Sequence, residues 1–174
     1  KDKAKEMISQ VLRKSLSKNV LVYEGDLSDK EKLRFIISYS SSVSMVATGF
    51  SSAAFGQLKE VLDSIPAKGF LIFNFDDEEL RALKTGMSVK TLSFGFKPEA
   101  DFQASDVNVN GGINFKVNYK GNIVPFWLDK GSEEEQVLSA LAAAAVGTAL
   151  GLNLVEISQA LKDSGISAII PKEQ

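Results

Sequence analysis

Three polar side chains follow a nearly continuous apolar run and are the residues best placed to bind a ligand. The run covers residues 70–75, and Asn74, Asp76 and Asp77 stand at its end. Such a run is typical of a parallel strand that is covered on both faces. In an open α/β sheet, ligands bind beyond the carboxyl ends of the strands. The sequence therefore predicts a ligand site at Asn74, Asp76 and Asp77.

A structural interpretation of the two aspartates stays open beside this one. Asp76 stands where the N-cap of a helix would be, and Leu80 and Leu83 then form a brief helical face. A carboxylate at an N-cap accepts hydrogen bonds from the first N–H groups of the helix, and a second acidic residue there favours the positive end of the helix. Under this interpretation Asp76 caps the helix, and neither aspartate binds a ligand.

The composition restricts the remaining chemistry. The 174 residues contain no cysteine and no histidine. A thiol nucleophile, a thiolate metal site and an imidazole base are thereby excluded, so that any acid or base must be a carboxylate, a lysine or a tyrosine. The lack of cysteine also fits a reducing compartment, and we expect a cytoplasmic protein.

Charge and hydropathy argue against two classes of partner. Twenty basic residues against 22 acidic ones leave a formal net charge of −2, which provides no general attraction for nucleic acid or an anionic membrane surface. The longest apolar run, residues 140–146, is far shorter than the roughly 20 residues that cross a bilayer. We therefore expect neither nucleic acid nor a membrane as a partner.

The order of predicted elements indicates an α/β fold. Strand-like runs at 20–23, 43–48 and 70–75 alternate with helical patterns, one of which begins with a capping box at Ser28 and reaches Ile37. Residues 101–128 alternate between apolar and polar positions around the turns Gly111-Gly112 and Lys120-Gly121-Asn122, which predicts an antiparallel meander as a satellite sheet. An alanine-rich helix over 132–150 and a second helix from Asn153 follow.

These elements predict one domain with a mostly parallel central sheet flanked by helices and a small antiparallel β meander. Residues 1–98 would form the βα units, 99–130 the meander and 131–165 a helix pair. A helical pattern begins at once after Lys1, which is not a methionine. We therefore expect the chain to be a fragment of a longer protein.

Three short strings match a known family in content and in order. They are Asn74-Phe75-Asp76-Asp77, Ser93-Phe94-Gly95 and the alanine run that starts at Ser139-Ala140. The order and the strings resemble the central, ATP-binding domain of the Mur ligases, which has a fold similar to that of the P-loop NTPases. The string from Lys5 to Ile8 resembles the family member that adds the D-alanyl-D-alanine dipeptide.

The resemblance implies ATP and Mg²⁺ as cofactors, in a family that forms amide bonds during peptidoglycan synthesis. Lys1 falls in the register of the phosphate-binding lysine, and Glu24 lies near that of a Mg²⁺-binding glutamate. Gln136 and Ser139 fall in the segment that contacts adenine. The residues that the resemblance assigns to nucleotide binding are Lys1, Asn74, Asp76, Asp77, Gln136 and Ser139, with Glu24 for the metal.

The chain departs from the family at positions that carry chemistry. Asp2 stands in place of the hydroxyl that holds Mg²⁺, Ala54 in place of a histidine, and Leu58 in place of a metal-binding lysine. One hypothesis is a catalytically degenerate domain that serves as a scaffold, contacts proteins or binds nucleotide weakly. The alternative is the ATP-binding domain of an active amide ligase whose phosphate loop lies outside this chain. Both expect flanking domains of the same protein as partners, and we assign no catalytic residue.

Overall fold

The computed structural model describes residue 7 and residues 20–22, 36–38, 45–47, 69–83, 90–128 and 133–163. Lys1 and Glu24 lie outside these residues. The strands are β1 Val20–Val22, β2 Ile36–Ser38, β3 Met45–Ala47, β4 Phe70–Asn74, β5 Lys90–Gly95, β6 Phe102–Val109, β7 Ile113–Tyr119 and β8 Asn122–Leu128. The helices are α1 Glu78–Leu83, α2 Glu133–Ala149 and α3 Leu154–Asp163.

Six of the described strands form one mixed sheet, and β1 and β2 form a separate pair. The six strands of the mixed sheet lie in the order β3-β4-β5-β6-β7-β8. Strands β3 to β6 are parallel, whereas β7 and β8 are antiparallel to their neighbours. The predicted fold class, an α/β domain with a parallel sheet and a meander, is confirmed.

The meander is part of this sheet, and the prediction of a separate satellite sheet was wrong. Strand β6 pairs with β5 at Phe94–Phe102 and Gly95–Gln103, which joins the parallel and antiparallel halves. The change of apolar period along the sequence marks where one face of the sheet becomes exposed to solvent. It does not mark a break in the hydrogen bonding.

A second correction concerns the helix predicted to reach Ile37. Residues 36–38 form a strand that pairs with β1 in antiparallel register, with Val20 opposite Ser38 and Val22 opposite Ile36. The capping-box pattern at Ser28 led to a helical prediction for residues that form a strand. The two adjacent isoleucines, which are β-branched, suit an extended backbone better than a helix.

Helix α2 supplies the centre of the hydrophobic core. Its alanines from Ala140 to Ala145 are fully buried, and the helix packs against strands β4 to β7. Because an alanine side chain is a single methyl group, the helix lies close to large strand residues such as Ile72 and Phe94, which are also fully buried. None of the described helices is long and apolar enough to cross a bilayer.

The hairpin turns form where the sequence places them. Lys120 and Gly121 connect β7 to β8 with φ angles of 50° and 80°, as a two-residue type I′ turn requires. Gly111, in the turn between β6 and β7, has a φ of 73°. Both turns predicted for the meander are thus confirmed.

Helix α3 begins with the reciprocal capping box expected at Asn153. Asn153 Oδ1 accepts hydrogen bonds from the N–H groups of Val155 and Glu156, both at 3.0 Å. Glu156 Oε2 in turn accepts a hydrogen bond from the Asn153 N–H at 2.8 Å. Gly151, with a φ of 92°, ends the preceding helix as predicted.

Replacing Asn153 with alanine is expected to lower the free energy of unfolding by about 1 kcal/mol, because two N–H groups of α3 lose their acceptor. Asn153→Asp keeps an acceptor oxygen and should leave stability nearly unchanged. Urea denaturation measures both, with the exposed helical residue Gln159 as control in Gln159→Ala. Equal losses for Asn153→Ala and Gln159→Ala would contradict the capping role.

Candidate functional site

Asn74 and Asp76 form a hydrogen-bonded turn at the carboxyl end of β4. Asn74 is buried, and its Oδ1 accepts a hydrogen bond from the Asp76 N–H at 3.0 Å. The Asp76 carboxylate reaches across to the residues that follow β5. Its Oδ2 accepts a hydrogen bond from the Phe96 N–H at 2.8 Å, and its Oδ1 accepts one from the Lys97 N–H at 3.1 Å. This turn therefore connects the ends of two neighbouring parallel strands.

The residue that caps α1 is Asp77, and the prediction of Asp76 as the cap was wrong by one residue. Asp77 Oδ1 accepts a hydrogen bond from the Leu80 N–H at 3.1 Å. The reason lies in the sheet, since the Phe75 N–H still donates to the Phe94 carbonyl oxygen at 2.8 Å. The strand-like path continues one residue further, so Asp76 points toward β5 and the helix starts later.

The carboxylates at this edge of the sheet are engaged by the backbone of the protein itself. Charge-assisted hydrogen bonds of this kind are stronger than neutral ones, so both oxygens of Asp76 are held in place. Among the described residues, no three Asp, Glu, His or Cys side chains come together in a way that could hold a metal ion. Glu24, the residue that the resemblance assigns to the metal, lies outside the described residues.

Ser93 and Asp101 form a second polar pair beside the first. Asp101 Oδ2 accepts hydrogen bonds from the Ser93 N–H at 2.8 Å and from the Ser93 hydroxyl at 2.7 Å. The Asp101 N–H donates to Ser93 Oγ at 3.0 Å. Ser93 is fully buried. The sequence indicated Ser93 only as part of the resemblance, and its spacing of eight positions from Asp101 did not predict the contact.

The start of α2 presents a buried amide donor without a partner. Gln136 is 2% exposed, and its Nε2 makes no hydrogen bond. Leaving such a group unpaired costs about 1–3 kcal/mol. Ser139, one turn further on, is also buried, but its hydroxyl donates to the Glu135 carbonyl oxygen at 2.7 Å. Of the two residues assigned to adenine, Gln136 has the free donor.

Strand direction places both groups of residues toward the same end of the sheet. Strand β6 is parallel to β5, and the chain reverses at β7 and again at β8. Strand β8 therefore runs in the direction of β4, β5 and β6. Its end, and hence the start of α2 a few residues later, faces the side on which Asn74, Asp76 and Asp77 lie.

A cavity of about 570 Å³ opens elsewhere, between the β7–β8 turn and the α2–α3 connection. None of the candidate residues in the described part of the chain lines it. Thr148 is among the lining residues, and its Oγ1 is buried without a hydrogen-bond partner. Asn153 and Glu156, also in the lining, already satisfy each other at the start of α3. The sequence did not indicate this cavity.

Comparison with curated proteins finds relatives among the UDP-N-acetylmuramate--L-alanine ligases. The enzyme of Desulfosudis oleivorans is 31% identical over 149 residues, which cover 82% of this chain and 32% of that protein. The enzyme of Stenotrophomonas maltophilia is 28% identical over 165 residues, covering 82% and 31%. The chain thus spans about a third of the length of the curated relatives that it matches. No family model matches the chain.

Comparison with solved structures finds the same fold in related ligases. The UDP-N-acetylmuramoylalanyl-D-glutamyl-2,6-diaminopimelate--D-alanyl-D-alanyl ligase of Acinetobacter baumannii superposes with a TM-score of 0.66 at 21% identity, over 91% of this chain and 42% of that one. The folylpolyglutamate synthetase of Lactobacillus casei gives a TM-score of 0.52 at 14% identity, over 69% and 32%.

These comparisons confirm the resemblance to the Mur ligases. The chain is related to them in sequence, and it has the fold of their central domain. The particular member is not confirmed, because the sequence relatives named above add L-alanine whereas the structural neighbour from A. baumannii carries the D-alanyl-D-alanyl name.

Proposed function

We propose that this chain is the catalytically degenerate central domain of a longer Mur ligase-like protein. It binds an adenine nucleotide weakly, and the protein that contains it does not form amide bonds. Its partners are the nucleotide and the flanking domains of the same protein. We place the protein in the cytoplasm, in keeping with the absence of cysteine from its sequence.

One observation supports the proposal that the protein does not catalyse amide-bond formation. The carboxylate of Asp76, at the edge where a nucleotide and its metal ion would lie, accepts hydrogen bonds from Phe96 and Lys97 at 2.8 and 3.1 Å. Phosphoryl transfer depends on metal ions and cationic groups that neutralise the charge of the moving phosphate. A carboxylate already bound to two backbone N–H groups is poorly placed to hold such an ion.

The unpaired amide of Gln136 supports the proposal that the protein binds an adenine nucleotide. An unpaired buried donor favours any ligand that brings an acceptor to it, and the ring nitrogens of adenine are such acceptors. When bound, ATP would supply the phosphate that activates a carboxylate in this family of ligases. Gln136 would hold the base, and Ser139, whose hydroxyl proton is engaged by Glu135, would act only through its free lone pairs.

The Gln136→Leu variant tests this assignment, because it should weaken ATP binding without lowering the stability of the protein. Removing an unsatisfied donor while keeping a side chain of similar volume should leave the free energy of unfolding unchanged or raise it by about 1 kcal/mol. The same change should weaken the binding of ATP, measured by NMR titration of the full-length protein, by about tenfold.

The control is Gln159→Leu, the same substitution at an exposed position of α3. It should change neither quantity. If Gln136→Leu destabilises the protein and leaves ATP binding intact, the amide has a partner within the protein and the assignment to adenine is wrong. Failure of the wild-type protein to bind ATP at millimolar concentration would overturn the nucleotide half of the proposal.

An active ligase is the second candidate, favoured by 31% identity to an enzyme of which this chain covers only 32%. In that case the phosphate loop and the metal-binding groups would come from parts of the protein outside this chain. Release of inorganic phosphate from ATP, dependent on a UDP-linked carboxylate and an amine, distinguishes the two candidates. The proposed function predicts no such turnover from the full-length protein.

A further inference from the structure

The connection between β5 and β6 is unusually short for two adjacent parallel strands. Residues 96–101 alone join Gly95 to Phe102, whereas parallel neighbours normally need a crossover of a dozen or more residues. The connection is possible because β6 begins beside the end of β5. The two strands pair only at Phe94–Phe102 and Gly95–Gln103 before β6 runs on into the meander.

Each end of this loop is held by a carboxylate. At its start, Asp76 accepts the hydrogen bonds from Phe96 and Lys97 described above. At its end, Asp101 is bound to Ser93 of β5. Between them, the Ala100 N–H donates to the Lys97 carbonyl oxygen at 3.0 Å and closes a turn. Because backbone pairing between β5 and β6 is short, these side-chain contacts carry much of the connection.

Gly95 leaves the space in which the Asp76 carboxylate lies. A Cβ atom on Gly95 would be 2.7 Å from Asp76 Oδ2 and 2.8 Å from Oδ1, closer than real Cβ contacts allow. Any other residue at this position would displace the carboxylate. The requirement for glycine here comes from this close approach, and it links two residues that are far apart in the sequence.

We propose that Asp76 is a positioning residue, which lies against Gly95 and holds the start of the 96–101 loop, and thereby fixes the meander relative to the parallel strands. Its carboxylate acts on Phe96 and Lys97, and a ligand is not needed for this role. The role adds to the proposed function and does not depend on nucleotide binding. It explains why an aspartate and a glycine stand at the ends of neighbouring strands.

A double-mutant cycle on the full-length protein tests the proposed pair. Gly95→Ala alone should lower the melting temperature by roughly 5 °C, because its methyl group displaces the carboxylate. In the Asp76→Ala background the same methyl group meets no carboxylate, and the further loss should be less than about 2 °C. Additive losses would overturn the proposal, since they would mean that Gly95 and Asp76 act separately.

Amide hydrogen exchange supplies a readout that general destabilisation would not give. In Asp76→Ala, exchange at Phe96 and Lys97 should accelerate by about ten- to hundredfold more than exchange at Phe115 in β7, which reports the loss of global stability. Asp76→Asn, which keeps one acceptor oxygen in place, should give a smaller increase and covers the case in which Asp76→Ala does not fold.

The matched control is Asp106→Asn. Asp106 is exposed, forms an ion pair with Lys116, and has a φ of 52° that asparagine tolerates. Its replacement should leave exchange at Phe96 and Lys97 unchanged. Unchanged exchange at these two amides in both Asp76 variants would refute the positioning role. If the wild-type protein does not bind nucleotide, the proposed function is wrong, but the positioning role of Asp76 is unaffected.

Discussion

Replacing Phe94 with alanine should lower the free energy of unfolding by about 3–5 kcal/mol, the largest effect expected for a single substitution in the described core. Phe94 is fully buried and belongs to the core cluster formed by α2 and the sheet. It is also the residue of β5 that lies opposite Asn74 on one side and Phe102 on the other. Removing the ring leaves a cavity where the parallel and antiparallel halves meet.

Two control variants distinguish this role from general loss of apolar area. Phe94→Leu keeps most of the volume and should cost about 1–2 kcal/mol. Ile123→Ala removes an apolar side chain that is 60% exposed and should cost less than about 0.5 kcal/mol. Guanidinium denaturation followed by circular dichroism measures all three. A loss for Phe94→Ala no greater than that for Ile123→Ala would show that the two halves do not share one core.

The Asp101→Ala variant should lower the free energy of unfolding by about 2–3 kcal/mol. The substitution removes the acceptor of the Ser93 N–H and of the Ser93 hydroxyl, and Ser93 is fully buried. Both donors would then lose their acceptor, and only water that enters from the exposed side of residue 101 could replace it. In Ser93→Ala only the N–H remains to be satisfied, so the Asp101→Ala change should cost less in that background.

Asp101→Asn is the conservative variant, since its amide oxygen can take the place of Oδ2, and it should cost less than about 1 kcal/mol. Glu99→Ala, at an exposed position in the same loop, is the control for a change of charge. Urea denaturation of the five variants yields the coupling energy. A similar loss for Asp101→Asn and Asp101→Ala would mean that the negative charge matters and the accepted hydrogen bonds do not.

The sequence predicted best where a pattern is local. The turn at Lys120-Gly121 and the capping box at Asn153 and Glu156 depend on residues within a few positions of each other, and both formed as expected. The apolar run of 70–75 also gave a buried strand, observed as Phe70–Asn74. Local sequence determines such features because their hydrogen bonds close within one turn.

Prediction from the sequence failed where the structure depends on a contact between residues that are far apart in the chain. The role of Asp76 depends on the N–H groups of Phe96 and Lys97, some twenty positions away, and no period or motif in a single sequence shows that approach. The strand at Ile36–Ser38 was predicted as a helix for a similar reason, since its pairing with Val20–Val22 overrides a local capping pattern.

The structure confirms that the polar residues after the apolar run stand at the end of a strand, while their assignment to a nucleotide stays a prediction. Asn74, Asp76 and Asp77 do lie at a strand end, and the start of α2 with Gln136 and Ser139 faces the same side of the sheet. The hydrogen bonds of the described residues, however, turn Asn74, Asp76 and Asp77 inward toward the backbone. Under the proposed function, Asp76 and Asp77 stabilise the fold, and Gln136 is the residue that binds the nucleotide.

Calorimetric titration of the full-length protein with ATP, in the presence and absence of Mg²⁺, tests this claim most directly. The proposal predicts a dissociation constant of about 0.1 mM or weaker that changes less than about threefold when Mg²⁺ is added, because Asp2 stands in place of the hydroxyl that would hold the ion and both oxygens of Asp76 already accept hydrogen bonds. A micromolar dissociation constant that requires Mg²⁺ would contradict it and would favour the active ligase.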